Sequence, residues 1–258
     1  MKIMLTGHRG YIGSHLLERL TLQNSVVGFD LKDGWDRDKY NNTQDLLTCE
    51  LNEEFDLIIH LAGQSGVRES INDPASYWRN NVEVSKRLFA RYPNTRILYA
   101  SSSSAYEPDL NPYAASKHIV EEAATRYPKT LGMRFHTVYD HAPRKGMFLQ
   151  KLLDGELEYV TDHYRDFIHV EDLCDAIGLL IRSNYSGTVD IGTGHPFRIR
   201  DFAEDLPIRL NTPHERQWTC ANMDRMKSLG FKPKHTIEKL LTNVNKDNII
   251  KLEIGETT

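Results

Sequence analysis

The sequence predicts a doubly wound α/β fold, in which helices cover both faces of a parallel sheet, followed by a small C-terminal lobe that caps a ligand. Apolar strand-like runs alternate with helical patterns through the first half of the chain. The first run leads into Gly7, Gly10 and Gly13 and then into a helical pattern, and the second run ends in Asp30. Together these features indicate a site for a dinucleotide.

The first strand, over residues 3–5, and the helix after it are predicted to form a phosphate-binding turn. One glycine permits unusual backbone angles, one lets a pyrophosphate approach, and one lets the helix pack on the strand. Asp30 ends the strand over residues 25–30 and is placed to bind ribose hydroxyls, which favours NAD, while Lys32 nearby leaves NADP open. The cofactor contacts expected here are Gly7, Arg9, Gly10, Tyr11, Ile12, Gly13, Asp30 and Leu31.

The composition is that of a globular protein with one large core, or a core with a small appendage. The chain has 258 residues, 40% of them hydrophobic, and a net charge of −4. This charge offers no general attraction to nucleic acid or to anionic membranes. Cys49, Cys174 and Cys220 show no metal-type spacing and are odd in number, which favours a reducing compartment. No apolar run could span a bilayer, so we expect a soluble cytoplasmic protein.

The other elements are predicted from apolar periodicity and from helix-start signals. In the first half we expect strands at residues 55–63, 96–101 and 130–137, a short edge strand at 45–47, and helices at 74–92 and 111–127. In the second half we expect helices at residues 145–153 and 171–181, strands at 167–170 and 188–191, and short helices near 200–205, 223–229 and 236–241. The expected division is a dinucleotide-binding domain at residues 1–137 and a lobe at 138–258, with residues 166–194 returning to the first sheet.

The strongest chemical signal is a tyrosine and a lysine four residues apart, Tyr113 and Lys117, on one face of a predicted helix. Free tyrosine is a poor base at neutral pH because its pKa is about 10, but a nearby ammonium and a positive nicotinamide ring favour the phenolate. The pair could then act as a general base for a sugar hydroxyl. Such spacing is also common on ordinary helices, so its meaning depends on the nucleotide turn before it. The serine run at residues 101–104 ends a strand where ligands bind in this architecture.

These segments resemble the extended short-chain dehydrogenase/reductases and, within them, the nucleotide-sugar 4-epimerases. The resemblance runs over nearly the whole chain in the family's order: TGHRGYIG, VVGFD, DLIIHLAG, NNVEVS, YASSSSAYE, NPYAASK, LGMRFHTVY, YRDFIHVEDL, VDIGTG and SLGFKP. It implies a Rossmann-type sheet with a small C-terminal substrate-binding lobe, NAD as cofactor and a UDP-sugar as substrate. It also implies a homodimer built on the helices at residues 74–92 and 111–127.

The resemblance assigns roles to single residues. Tyr113 is implied as the catalytic base, Lys117 as its partner and ribose contact, and Ser102 as the third catalytic residue. Asn81 is implied in a structural bond between helix and sheet. The remaining cofactor contacts are expected at Asp45 and Leu46, near the adenine, and at Leu61, Ala62 and Gly63, where small residues end a strand.

The two residues after Ser102 indicate which of the family's reactions the chain can carry out. Related dehydratases carry an Asp-Glu pair there and related decarboxylases a Glu, whereas this chain has Ser103 and Ser104. Neither serine supplies the carboxylate that would move a proton at C5 or C6 of the sugar, so epimerisation through a transient 4-ketone is favoured.

The sugar itself is suggested by a second resemblance, to the UDP-glucuronate 4-epimerases. It is carried by GQSGVRES, which contains Arg68, by SSSSAY, and by the threonine and arginine seven residues apart at Thr137 and Arg144. We expect Arg144 to bind the sugar carboxylate with Thr137 beside it, because a guanidinium can donate two parallel hydrogen bonds to a carboxylate. The alternative is that Arg144 is a solvated loop residue. Arg165 matches a family arginine that contacts the nucleotide diphosphate. The expected substrate contacts are therefore Arg68, Ser102, Ser103, Ser104, Thr137, Arg144 and Arg165.

Some features depart from the family and keep other interpretations open. Tyr113 follows Ser102 after only eleven positions, the C-terminal half is trimmed, Asp140 replaces a usual glycine and Gly63 a common alanine. The competing interpretations are a reductase of 4-keto sugars with exchangeable NAD(P)H, and a non-catalytic NAD-binding homologue. The histidines, among them His60, His136 and His169, form no zinc-like pattern, so we expect no metal.

Overall fold

A six-stranded parallel sheet forms the centre of the computed structural model, which describes residues 1–31, 44–141 and 146–240. Its strands run in the order β2-β1-β3-β4-β5-β9. They are β1 (Lys2–Thr6), β2 (Ser25–Phe29), β3 (Leu57–His60), β4 (Arg96–Ser102), β5 (Thr130–Phe135) and β9 (Gly187–Ile191). The order reverses beside β1, so a crevice opens at the carboxyl ends of β1 and β3, where ligands bind in such sheets.

Helices cover both faces of this sheet. The helices of the described residues are α1 (Tyr11–Thr21), α2 (Val67–Asn72), α3 (Pro74–Tyr77), a π-helical turn (Trp78–Glu83), α4 (Val84–Arg91), α5 (Pro112–Ala124), α6 (Phe148–Leu153), α7 (Val170–Arg182) and α8 (Asp224–Ser228). One face of the sheet packs with α1 and α7 in an aliphatic core, and the opposite face packs with α4 and α5 in a second core. Within the described ranges, no helix is long and apolar enough to cross a bilayer.

The second half of the chain adds two small sheets beside the carboxyl edge of the large one. A three-stranded sheet has the order β10-β8-β6, and β11 pairs with β7. These strands are β6 (Thr137–Tyr139), β7 (Val160–Thr161), β8 (Tyr164–His169), β10 (Pro196–Arg198) and β11 (Ile208–Arg209). Short 3₁₀ turns cover Ser103–Tyr106, Pro108–Leu110 and Ile199–Phe202. A separate apolar cluster around Phe167 and Ile199 holds this part together.

Two predicted strands are corrected by the structure. Residues 45–47 form a turn rather than a strand. The Asp45 carboxylate accepts a hydrogen bond from the Leu47 N–H at 2.9 Å, and the Asp45 carbonyl accepts from the N–H groups of Thr48 and Cys49. The strand expected over residues 130–137 is two strands. His136 still donates its N–H to Ile191 O at 3.1 Å, after which β6 pairs with β8 in the second sheet. Of the segment 166–194, β9 lies in the six-stranded sheet and β8 lies in the three-stranded one.

The helix predicted over residues 74–92 also differs, because a π-helical turn interrupts it at Trp78–Glu83. Asn81 lies in this turn with its side chain turned inward, bonded to both the N–H and the C=O of Gln64 and to the Ser116 hydroxyl. The buried Asn81 amide therefore connects the loop that follows β3 to α5. Single π-turns inside helices are often found at functional sites.

Candidate active site

The glycine turn between β1 and α1 is compressed against the end of β3. Gly7 has a φ of +71°, and a Cβ on it would lie 2.6 Å from Ala62 N. A Cβ on Gly13 would overlap the Gly7 carbonyl. Only glycine fits at these two positions, and the turn therefore lies flush with the carboxyl edge of the sheet.

The start of α1 faces this turn without a side-chain cap. Gly10 is the N-cap residue, and the first turn of α1 holds no acidic side chain. The backbone N–H of Arg9 donates to the Asp30 carboxylate at 2.9 Å, which holds that acid at the end of β2. Helix N–H groups can donate to a dinucleotide pyrophosphate, and a carboxylate at the end of the neighbouring strand can accept from ribose hydroxyls. The remaining predicted contacts here are Tyr11 and Ile12, half-buried at the start of α1, and Leu31, exposed beyond β2.

The predicted adenine contacts lie further along the same edge. Asp45 forms an ion pair with Arg79 of the π-helical turn. Leu46 is buried in the core under this face of the sheet, and its carbonyl accepts from Arg87. The structure therefore holds the carboxylate at a surface turn and takes the Leu46 side chain into the interior.

The loop after β3 connects the cofactor side to α5. Ala62 N–H donates to the Thr6 hydroxyl at 3.1 Å. Gly63 lies so close to Asn81 and Lys117 that a Cβ would be 2.8 Å from Asn81 Oδ1 and 3.5 Å from Lys117 Nζ. The glycine at position 63, where the family commonly has alanine, thus leaves room for the side chains of Asn81 and Lys117.

The predicted catalytic set lies at the carboxyl edge of β4 and in the first turns of α5. Ser102 ends β4, and its Oγ accepts the Ser104 N–H at 3.1 Å. Lys117 is buried, donates from Nζ to Ala100 O at 3.0 Å, and has its pKa lowered by burial to about 8. Tyr113 lies one turn before Lys117, and its ring packs edge-on against Tyr77 at 6.1 Å. Because α5 packs on β4 and on the following 3₁₀ turn, the three residues lie on elements that are in direct contact.

A buried polar chain lies near Lys117. His60 Nδ1 is 2.7 Å from the Thr6 hydroxyl, and its Nε2 is 3.0 Å from the Ser85 hydroxyl. Burial, together with the charge of Lys117, lowers the pKa of His60 to about 3. The other two histidines named from the sequence are also buried, His136 beside Asp190 at 3.7 Å and His169 accepting the Glu171 N–H at 3.2 Å. Across the described ranges, no histidine, cysteine or acid cluster could hold a metal ion.

The predicted substrate residues only partly converge. Arg68 of α2 and Arg165 of β8 meet at Glu215, with nitrogen–oxygen distances of 3.1 and 3.8 Å. Burial lowers the pKa of Arg165 to about 10, and the hydrogen bond with His163, followed by the charge of Arg68, lowers that of Glu215 to about 2. Thr137 is half-buried at the start of β6, and Arg144 lies outside the described residues.

Sequence reasoning missed three residues of this crevice. Glu121 lies one turn after Lys117 and accepts from the Ser101 hydroxyl at 2.5 Å and from Arg134 at 2.6 Å. Its spacing of four from Lys117 was a usable signal. Glu215 and its neighbour Arg216 come from a loop of the second half, and Arg216 Nη1 donates to Ser103 O at 2.6 Å. No local pattern marks a loop residue whose partner lies more than a hundred positions away.

Comparison with known proteins places this geometry in a family. The model of the NAD dependent epimerase/dehydratase family matches residues 3–192. Protein CapI of Staphylococcus aureus is 28% identical over 92% of this chain and 95% of its own length. A probable UDP-glucuronate 4-epimerase of Rhizobium meliloti is 27% identical over 93% of this chain and 94% of its own.

A solved structure agrees with the sequence relatives. MoeE5 in complex with UDP-glucose and NAD matches with a TM-score of 0.84 at 26% identity, over 96% of this chain and 100% of that chain. MoeE5 has also been solved with UDP-glucuronic acid and NAD, where the TM-score is 0.80. The expected Rossmann-type fold and the expected NAD cofactor are thereby confirmed. The chain belongs to the NAD-dependent epimerase/dehydratase family of enzymes.

Proposed function

We propose that this enzyme interconverts UDP-sugars that differ in configuration at C4, with UDP-glucuronate and UDP-galacturonate as the first pair to consider. UDP-glucose with UDP-galactose, and their N-acetyl counterparts, come next. The observation that supports the proposal is that Ser102 ends β4 while Tyr113 and Lys117 lie on α5, which packs on β4, in a chain that begins with a tight glycine turn suited to a dinucleotide.

The cofactor would be held by the residues that shape that turn. In this proposal the N–H groups at the start of α1 bind its phosphates, and Asp30 binds the adenosine ribose. Lys117 would bind the nicotinamide ribose, and Tyr113 would act at the reacting sugar carbon. The chemistry that bound NAD would supply is reversible transfer of the C4 hydrogen as hydride, so the overall reaction would involve no net oxidation.

The protein's own part is to move the proton of the sugar 4-hydroxyl. Tyr113 takes this proton as C4 becomes a carbonyl and gives it back when the carbonyl is reduced from the opposite face. The Lys117 ammonium favours the phenolate that starts the cycle, and Ser102 shares the hydrogen bond to the 4-oxygen. Ser103 and Ser104 provide no carboxylate for proton transfer at C5 or C6, which supports epimerisation over dehydration or decarboxylation.

Arginines from both halves of the chain support the nucleotide part of the substrate. Arg68 of α2 and Arg165 of β8 both approach Glu215, and guanidinium groups suit a diphosphate. Arg144 and Thr137 are assigned to the sugar carboxylate from the sequence pattern. The names of similar proteins agree with this choice, since one is a probable UDP-glucuronate 4-epimerase and another has been solved with UDP-glucuronic acid.

Proton NMR tests the proposal directly. Purified protein is incubated with NAD and UDP-glucuronate, and the anomeric signals are followed for UDP-galacturonate. We expect its appearance in the wild type, its loss in Tyr113→Phe, and a large increase in KM in Arg144→Ala. Arg182→Ala, a matched change at the end of α7, should leave the rate unchanged.

Other outcomes point to other functions. Turnover of neutral UDP-sugars alone would keep the epimerase and remove the carboxylate role of Arg144. Net consumption of added NADH with a 4-keto sugar would indicate a reductase. NAD binding without turnover of any UDP-sugar, unchanged in Tyr113→Phe, would indicate a non-catalytic homologue.

We also infer a homodimer, and a division of the chain near residue 137. The dimer would use the outer faces of α4 and α5 together with the π-helical turn. Trp78, at the start of that turn, is 46% exposed. Light scattering at working concentration checks it, and a monomer mass would contradict it.

A further inference from the structure

His214, Glu215 and Arg216, here called the strap, connect the second half of the chain to the region of the predicted catalytic residues. His214 O accepts from the Asn111 side chain at 2.9 Å, and its Nδ1 lies 3.2 Å from Leu110 O. Asn111 is the N-cap of α5, since its Oδ1 accepts the Ala114 N–H at 2.8 Å. The strap therefore contacts the segment between β4 and α5, which is the interval that is short in this sequence.

Arg216 is the member of the strap that reaches the serines. Its Nη1 donates to Ser103 O at 2.6 Å, and its Nε donates to the Glu107 carboxylate at 2.6 Å. The guanidinium carbon lies 5.4 Å from the centre of the Tyr106 ring. The Arg216 side chain is only 17% exposed. These contacts hold the charge in one orientation against one backbone carbonyl.

The carbonyl that Arg216 binds belongs to the same peptide unit as the Ser104 N–H. That N–H points the opposite way and donates to Ser102 Oγ at 3.1 Å. A cation on the carbonyl polarises the amide, and the N–H becomes a stronger donor. The chain of contacts thus runs from guanidinium to peptide to hydroxyl. Because Ser102 Oγ accepts this bond, its own hydrogen must point elsewhere.

We propose that Arg216 is a positioning residue for the reaction, which orients the Ser102 hydroxyl through the Ser103–Ser104 peptide. This inference rests on the proposed function, in which Ser102 donates to the 4-oxygen of the sugar. Arg216 does not touch the substrate in this role. A residue of the second half of the chain thereby sets the direction of a donor in the first half.

The test is a double-mutant cycle. Arg216→Ala should lower kcat about tenfold or more, the effect of weakening one charge-assisted hydrogen bond, while KM changes by less than about twofold. Arg216→Lys, which keeps the charge, should recover part of the loss. In a Ser102→Ala background the Arg216→Ala change should have almost no further effect. Equal losses in both backgrounds would overturn the proposal.

A second measurement does not depend on turnover. The amide resonance of Ser104, followed in labelled protein with NAD bound, should shift in Arg216→Ala because its hydrogen bond weakens. Arg198→Ala, which removes a surface arginine paired with Asp162, should leave that resonance in place. An unchanged Ser104 resonance in Arg216→Ala would refute the relay even in an active enzyme. A wild type that turns over no UDP-sugar while the resonance shifts would refute the proposed function and leave the relay standing.

Discussion

Lys117 is the residue whose titration should set the alkaline limit of activity. Its ammonium is the form that favours the Tyr113 phenolate, and burial lowers its pKa to about 8. The ammonium is therefore present below pH 8 and lost above it. We expect kcat/KM to fall about tenfold per pH unit above that value. Glu121 raises this pKa, so Glu121→Gln should move the fall to lower pH, while the exposed neighbour change Glu122→Gln should not. A kcat/KM that does not change up to pH 10 would contradict this role of Lys117.

Single residues were predictable where their chemistry is local in sequence. Tyr113 and Lys117 share one helix face, and the glycines of the turn follow one strand. Arg216 was not predictable, because its contact with Ser103 joins positions that only the folded second half brings together. Arg165 was named from its motif, but its pairing with Glu215 could not be foreseen, since the geometry of a loop is set by tertiary contacts.

At the scale of elements, α1 and α7 give a matched pair of glycines. Gly13→Ala places a methyl group into the Gly7 carbonyl, so it should lower the free energy of unfolding by about 2 kcal/mol and weaken NAD binding at least tenfold. Gly178→Ala in α7 meets its nearest atom, on Arg182, at 3.8 Å and should raise the free energy of unfolding by about 0.5–1 kcal/mol. Urea unfolding and NAD titration measure both. Equal effects of the two changes would show that crowding at Gly13 is not the cause.

The elements themselves were predicted from periodicity more reliably than their interruptions. The period of residues 74–92 is helical throughout, but the amide of Asn81 stabilises a wider turn by binding Gln64 and Ser116. The apolar run at residues 130–137 is strand-like throughout, but periodicity does not say which sheet a strand joins. The sheet that each strand joins depends on its pairing partner, which is β9 for β5 and β8 for β6.

At the scale of the whole molecule, Glu215 bridges its halves by pairing with Arg68 and Arg165. The hydrogen bond with His163, followed by the charge of Arg68, lowers the pKa of Glu215 from about 4.5 in the unfolded chain to about 2 in the folded protein. The stabilising effect is therefore complete above pH 4.5 and disappears as the pH falls through 2. After allowance for solvent screening, Glu215→Gln should cost about 1–2 kcal/mol of unfolding free energy between pH 5 and 8. That cost should shrink as the pH falls from 4.5 to 2. The exposed change Glu204→Gln is the control, and a pH-independent cost would contradict the pairing.

The passage of the chain from β5 into β6 affects the order in which the protein can fold. β5 pairs with β9, so Leu131 meets Gly187 only after all of β6, β7, β8 and α7 have been made. During synthesis from the amino end, the outer edge of β5 stays unpaired while these elements emerge from the ribosome. An unpaired strand edge can join that of another chain. Completion of the large sheet is therefore a late step, and the second half of the chain protects the first from association with its neighbours.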